Sequence, residues 1–333
     1  DVAVTGVQTC ALPIFIIASL SACKKGSKGE RSLLPNVTGS AGELVLILPK
    51  QLWTDSIGIK YKEILSQDFP YLPQPEPYFD LITLPPDAFT DIFKSHRNII
   101  FNETSSEVKE PKFILKRDVW ASPQTVLYVI GPNYSSIATF ITKEKDKLIA
   151  IFEQAERDRI IQNAIKYEER DITPVLNEKF NINLKIPKGY AIKKQSENFV
   201  WISHETPKIS QGLIIYTFPY TEKNTFSSEY LLSKRNEFVN QIPGPTDGTY
   251  MITSTFYPPH FSAMMYRDRY FGILRGFWDV YKHPMGGPFI SFSTLDEKRQ
   301  TIINIEAYVY APSGKKRNYL RQDEALVYSL ELN

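Results

Sequence analysis

The chain has 333 residues, with 39 Lys and Arg against 37 Asp and Glu, 42% hydrophobic and 13% aromatic residues. That apolar content can bury sizeable cores and excludes a disordered chain, and the length suggests two domains of ordinary size. The charge is near balance and no run of five or six like charges occurs, so no nucleic-acid partner is expected.

Residues 1–14 have no initiator Met and no basic segment ahead of the apolar run that follows. They resemble a translated sequencing adapter and are set aside as an assembly artefact, Cys10 with them. Residues 15–22 are too short an apolar run to span a bilayer, and fit the end of a signal peptide. Leu20-Ser21-Ala22-Cys23 resembles a bacterial lipobox, which makes Cys23 the lipidation site and a membrane the partner of the mature N-terminus. With Cys23 modified, no cysteine remains for a disulfide, a zinc site or a nucleophile. Residues 23–42 are expected to be a flexible tether. Lys24, Lys25 and Lys28 either attract anionic headgroups or simply solvate it.

An N-terminal α+β domain is expected over 43–152. Glu43 to Pro49 reads as a buried strand, and Ser56 to Gln67 as a helix with Ile57, Ile59, Tyr61, Ile64 and Leu65 close to one face. Strands follow at 78–84, 98–101, 112–119 and 124–130, with Pro85-Pro86-Asp87 opening a short helix. From Ser135 to about Arg170 nothing stops a helix. Its second part, rich in charge, reads as a helical bridge over 153–178 with a solvated face.

The C-terminal domain, 179–333, reads as strands at 181–186, 190–194, 199–203 and 213–218. A helix over 226–239, capped by Ser227 or Asn224, comes next. Strands at 250–256, 262–266, 270–281, 289–294 and 302–310 precede a last helix over 316–330. The strict alternation of Ile303, Ile305, Ala307 and Val309 is the period of a half-buried strand. Two α+β domains follow, each a mainly antiparallel sheet packed with helices, joined by a long helix.

The lipobox, R-D-V-W-A-S-P-Q (117–124), F-P-Y-T-E-K-N-T-F (218–226), M-G-G-P-F (285–289) and Y-A-P (310–312) together resemble the uncharacterised Bacteroidota lipoproteins of domain of unknown function 4837, over residues 41–332. The resemblance implies a lipid-anchored envelope protein and brings no activity. The residues after Cys23 carry no acidic run, which favours a periplasm-facing outer-membrane anchor over the cell surface. I-P-K-G-Y (186–190) and the closing strand and helix are similar to photosystem-P-protein and Mog1-type sandwich domains, which are mostly binding and assembly modules.

Catalytic patterns are scarce. His96, His204, His260 and His283 have no metal-ligand spacing, and neither a nucleophile elbow nor a phosphate loop occurs, so no metal and no cofactor are expected. Gly286-Gly287 suggests a tight turn. The richest stretch runs from Tyr266 to Phe289. Arg267, Arg269, Arg275, Trp278 and Tyr281 could line a groove for a carboxylate, a phosphate or a glycan. The plainer reading is a polar sheet face with paired charges. Arg117 and Trp120 form a second candidate. The leading expectation is a non-enzymatic binding or assembly protein of the envelope with a protein or glycan partner. The alternative is an envelope-glycan hydrolase drawing on Asp268, Asp279 and Glu306.

Overall fold

β1 (Glu43–Ile47) buries all but its first residue, and the chain then turns through α1 (Ser56–Leu65), which buries Ile57, Tyr61, Ile64 and Leu65 against it. The computed structural model describes residues 34–333; Cys23, segments 1–14 and 15–22 and the first part of the tether lie outside the described residues. The last part of the expected tether is docked. Thr38 N–H donates to the Ser95 carbonyl at 2.8 Å and Ser122 N–H to the Pro35 carbonyl at 2.9 Å.

β2 (Asp80–Leu84), β3 (Asn98–Thr104), β4 (Lys112–Arg117) and β5 (Thr125–Gly131) complete a sheet of order β2-β1-β3-β5-β4. It corrects the expected antiparallel arrangement: β1–β2, β1–β3 and β3–β5 are parallel, and only β4–β5 is antiparallel. The physical reason lies in the connections. α1 and the proline-rich segment return the chain to the starting end of the sheet before β2 begins, as a parallel crossover requires. One face packs beneath α1, α3 (Tyr134–Lys143) and α4 (Lys145–Lys166). On the other, Val45, Ile47, Ile99 and Val126 lie under Phe89, Phe101, Trp120 and Tyr128. α2 (Asp91–Lys94) is a single turn.

The helix expected to run unbroken to about Arg170 is interrupted at Glu144 and ends at Lys166, with α5 (Ile172–Phe180) following. Its charged part is a solvated face only in part: Asp158 and Lys166 are exposed, but Glu153 and Glu156 turn inward. Glu153 pairs with Arg321 at 2.5 Å, and Glu156 is 1% exposed. The partners that neutralise these charges lie far away in sequence, so the pattern alone reads as solvent-facing.

The second half holds β6 (Ile182–Asn183), β7 (Ala191–Ser196), β8 (Phe199–Glu205), β9 (Ser210–Pro219), α6 (Ser228–Val239), β10 (Met251–Thr253), β11 (His260–Tyr266), β12 (Arg269–Val280), β13 (His283–Asp296), β14 (Thr301–Tyr310), α7 (Arg317–Val327) and β15 (Glu331–Leu332). Its main sheet has the order β10-β12-β13-β14-β9-β8-β7, with β11 also on β12, and every pairing is antiparallel. The class is therefore α+β. Ser227 caps α6, its hydroxyl accepting from the Tyr230 N–H. β14 is buried on both faces rather than one, because it is a central strand with α7 over one side and α6 over the other. Alternation here separates two cores: Ile303, Ile305 and Val309 enter one, Ile302 and Tyr308 the other.

α7 joins the two sheets into one compact unit over Leu34–Asn333. The Glu76 carboxylate accepts the N–H groups of Lys316 and Arg317 at 2.6 and 3.1 Å, satisfying the orphan donors of the α7 start from 240 residues away. Arg317 reaches Asp80 at 2.7 Å, and Asn318 donates to the Ala41 carbonyl at 2.9 Å. Gly42, at φ +80, lies where a Cβ would meet both the Arg317 and Arg321 guanidinium groups at 2.8 Å.

Candidate functional site

The residues singled out between 266 and 289 do not form one groove. Successive residues of a strand face opposite sides, so Arg275 and Trp278 are divided by the sheet. Arg275 pairs with Glu324 of α7 at 2.7 Å. Trp278 is 1% exposed in the other core, edge-on to Tyr308 at 6.0 Å. Gly287 makes room for it and for the β14 backbone, since a Cβ there would stand 2.0 Å from the Val309 carbonyl oxygen. Gly286 and Gly287 thus serve close approach within β13, not a turn. Tyr281, at the far end of β12, stacks on Tyr250 at 5.0 Å. In the other sheet, Arg117 donates to Thr125 at 2.6 Å and Trp120 packs on Phe89 and Phe101. All five of these positions have structural partners.

Arg267 and Arg269 are different. The β11–β12 hairpin turns at Arg267-Asp268, both with positive φ (49° and 58°), and Tyr266 pairs with Arg269 across it. A two-residue turn of this hand favours Asn-Gly. An L residue in the left-handed region costs roughly 1–2 kcal/mol, and such strain gathers at functional sites. Beside the turn is a cavity of about 230 Å³. Tyr266, Phe271, Phe292 and Tyr328 give it an aromatic floor, and Arg267 and Arg269 stand at its side. Tyr328 lies edge-on to Tyr266 at 5.0 Å and to Phe292 at 5.6 Å. Arg157 of α4 covers the Tyr328 ring at 3.5 Å. Burial, with the Glu324 charge adding to it, pushes the Tyr328 hydroxyl up to about 12. Among the described residues neither Arg267 nor Arg269 has a carboxylate partner.

β11 leads into this cavity. Among the described residues it hydrogen-bonds as a strand to β12 alone, so its outer edge is open. Its sequence, H-F-S-A-M-M-Y, has none of the charges or prolines that usually blunt an exposed edge. Among the described residues, five of the eleven exposed large apolar side chains, Phe256, Tyr257, Met265, Tyr270 and Tyr281, fall on β11, β12 and the segments bordering them. Of these, Met265 and Tyr270 pair next to the hairpin turn, and exposed apolar side chains that lie together mark an interaction surface. Sequence reading found the two arginines but missed the edge, because pairing order is not written in a strand's own residues. The uncharged composition of β11 was the available signal.

The three carboxylates of the hydrolase alternative do not meet. Asp268 and Asp279 stand at opposite ends of β12, roughly 35 Å apart at about 3.3 Å per residue. Glu306 is fully buried in a double hydrogen bond with Arg235, at 2.7 and 2.8 Å. No group of three or more metal-ligating side chains occurs among the described residues, and none of their helices is long and apolar enough to cross a membrane.

Residues 169–329 match the family model described as Domain of unknown function (DUF4837). Residues 37–165 match a different one, Domain of unknown function (DUF8532). The likeness read over 41–332 is thus divided between two uncharacterised families near the end of α4. No curated protein matches the chain. Solved structures similar to part of it include the Saccharomyces cerevisiae Ran-binding protein Mog1p, at 9% identity and TM-score 0.29, spanning 46% of this chain and 90% of that one. Another is LpqN, involved in cell envelope biogenesis of Mycobacterium tuberculosis, at 11% identity and TM-score 0.27, spanning 45% of this chain and 81% of that one.

Proposed function

We propose that this protein is a lipid-anchored binding module of the bacterial envelope, without catalytic activity, that captures an extended segment of a protein partner along β11. One observation carries the reading: an uncharged, open edge strand ends at an aromatic cavity flanked by two arginines that have no carboxylate partner among the described residues. Strand addition supplies main-chain hydrogen bonds, and a pocket beside the edge supplies selectivity. The cavity, about 230 Å³, is smaller than the roughly 300–1,000 Å³ of free small-ligand sites. It suits one apolar anchor side chain of a larger partner, with a neighbouring carboxylate held by Arg267 and Arg269. Cys23 would hold the module on a membrane, and the lipobox with the motifs of the C-terminal half supports a periplasm-facing lipoprotein of Bacteroidota type.

The test is a photo-crosslinker at Met265 of the full chain in its native envelope, with partner peptides identified by mass spectrometry. Crosslinks to one extended, acidic and apolar segment, lost in Arg267→Gln/Arg269→Gln, are expected. A glycan adduct, or crosslinks unchanged in that variant, would overturn the reading. Arg275→Ala and Trp278→Ala are unsuitable probes, since each removes a structural contact.

A further inference from the structure

The open edge of β11 can be phased residue by residue. Its hairpin turn has two residues, both left-handed, so the flanking pair Tyr266 and Arg269 exchanges both main-chain hydrogen bonds. Bonded and non-bonded pairs alternate from there. The main-chain groups of Met264, Ser262 and His260 therefore also turn inward to β12, and those of Phe261, Ala263 and Met265 turn outward. An added strand bonds to these last three residues.

Side chains alternate in the same rhythm. His260, Met264 and Tyr266 share a sheet face with Arg275, Phe271 and Arg269, their partners on β12. This is the face of the 230 Å³ cavity, which Met264, Tyr266, Arg269 and Phe271 line at the turn end of the hairpin. Phe277, two residues beyond Arg275, is on the same face.

A second group of rings occupies this face at the other end of β11. Tyr71, from the proline-rich segment between α1 and β2, lies against the His260 ring at 5.8 Å. Tyr257, 64% exposed, meets the Phe277 ring at 5.5 Å. Tyr71 has φ +58, an outlying conformation for a bulky L residue, and strain of this kind gathers at binding sites. His260 itself is exposed. From His260 to Tyr266 is six residues, or roughly 20 Å at about 3.3 Å per residue.

Resting on the docking along β11, we infer that Tyr71, Tyr257 and His260 form a second anchor subsite of the same edge. The protein segment taken up there carries two apolar or aromatic side chains six residues apart, one for the cavity and one for these rings. The even spacing follows from the two-residue period of a strand and holds for either direction of the added chain. An odd spacing puts the second side chain on the opposite face, away from Tyr71 and Tyr257.

The experiment measures binding of labelled synthetic peptides to the full chain by fluorescence polarisation. A Thr- and Ser-rich host peptide carries one Phe with a neighbouring Asp, and a second Phe five, six or seven residues away on either side, or none. A six-residue peptide should bind about tenfold or more tighter than the five-residue, seven-residue and single-Phe peptides. Tyr71→Ala and Tyr257→Ala should each shrink that ratio toward one. Tyr257 is largely exposed, so its variant keeps the test valid if Tyr71→Ala fails to fold. Equal binding of all spacings, or an undiminished ratio in Tyr257→Ala, overturns the second subsite and leaves the docking along β11 standing. Failure of every peptide to bind overturns both.

Discussion

Replacing Asp323 by Asn should remove a pH dependence that the fold builds into α7. Asp323 is fully buried, and its Oδ1 accepts from the Tyr190 hydroxyl, which in turn accepts from Gln211 Nε2 at 2.9 Å. The second carboxyl oxygen and Gln211 Oε1 have no partner among the described residues. Burial, only partly opposed by the Tyr190 bond, pushes this carboxyl up to about 8, against about 3.9 in an unfolded chain. The folded state therefore holds a proton that the unfolded state releases. Stability from this group is complete below about pH 4 and is lost as pH rises toward 8. At about 1.4 kcal/mol per pH unit over four units, the loss is on the order of 5 kcal/mol. The side chain introduced by Asp323→Asn does not titrate, and its amide can donate to the unpaired Gln211 oxygen. Urea unfolding of both proteins at unit steps from pH 4 to 9 measures the difference. The variant should match the wild type at low pH and exceed it by several kcal/mol at pH 8. A difference that stays flat with pH, or a wild type that gains on the variant as pH rises, would refute the reasoning.

Three further perturbations test other joints. Glu76→Ala strips the α7 start of its distant cap and should lower stability by about 1–2 kcal/mol, measured by denaturant midpoint, with Glu76→Gln losing less. Breaking the Arg235–Glu306 pair from one side leaves a charge with no exposure. Arg235→Met or Glu306→Leu alone should cost about 3–5 kcal/mol and the double variant clearly less than their sum, as a double-mutant cycle would show. Replacing Arg267-Asp268 by Asn-Gly relieves two left-handed residues. It should stabilise the hairpin by about 1 kcal/mol or more while weakening partner capture, two readouts with opposite signs.

Local physics was legible in the sequence wherever a residue's role depends on near neighbours. The Ser227 cap, most of the apolar face of α1 and the long strands of the C-terminal half follow from spacing, and Arg267 and Arg269 stood out among the charges between Tyr266 and Phe289. Strand parity alone would have separated Arg275 from Trp278. What sequence could not show depends on partners far along the chain. The α4 charges look solvated until Arg321 is set against Glu153, and Arg275 looks available until Glu324 arrives from α7. The parallel order of the first sheet likewise follows from where α1 leads the chain, a property of connections rather than of strand composition.

The central claim rests on the outer edge of β11, and amide hydrogen exchange tests it most directly. The full chain would be measured alone and with the crosslink-identified partner segment added as a synthetic peptide. Slowed exchange is predicted at the outward N–H groups of His260–Tyr266 and at Arg267, with the other sheet edge, β7, unchanged. Protection confined to β7 or to the first sheet, with β11 exchanging as in the free protein, would contradict the account.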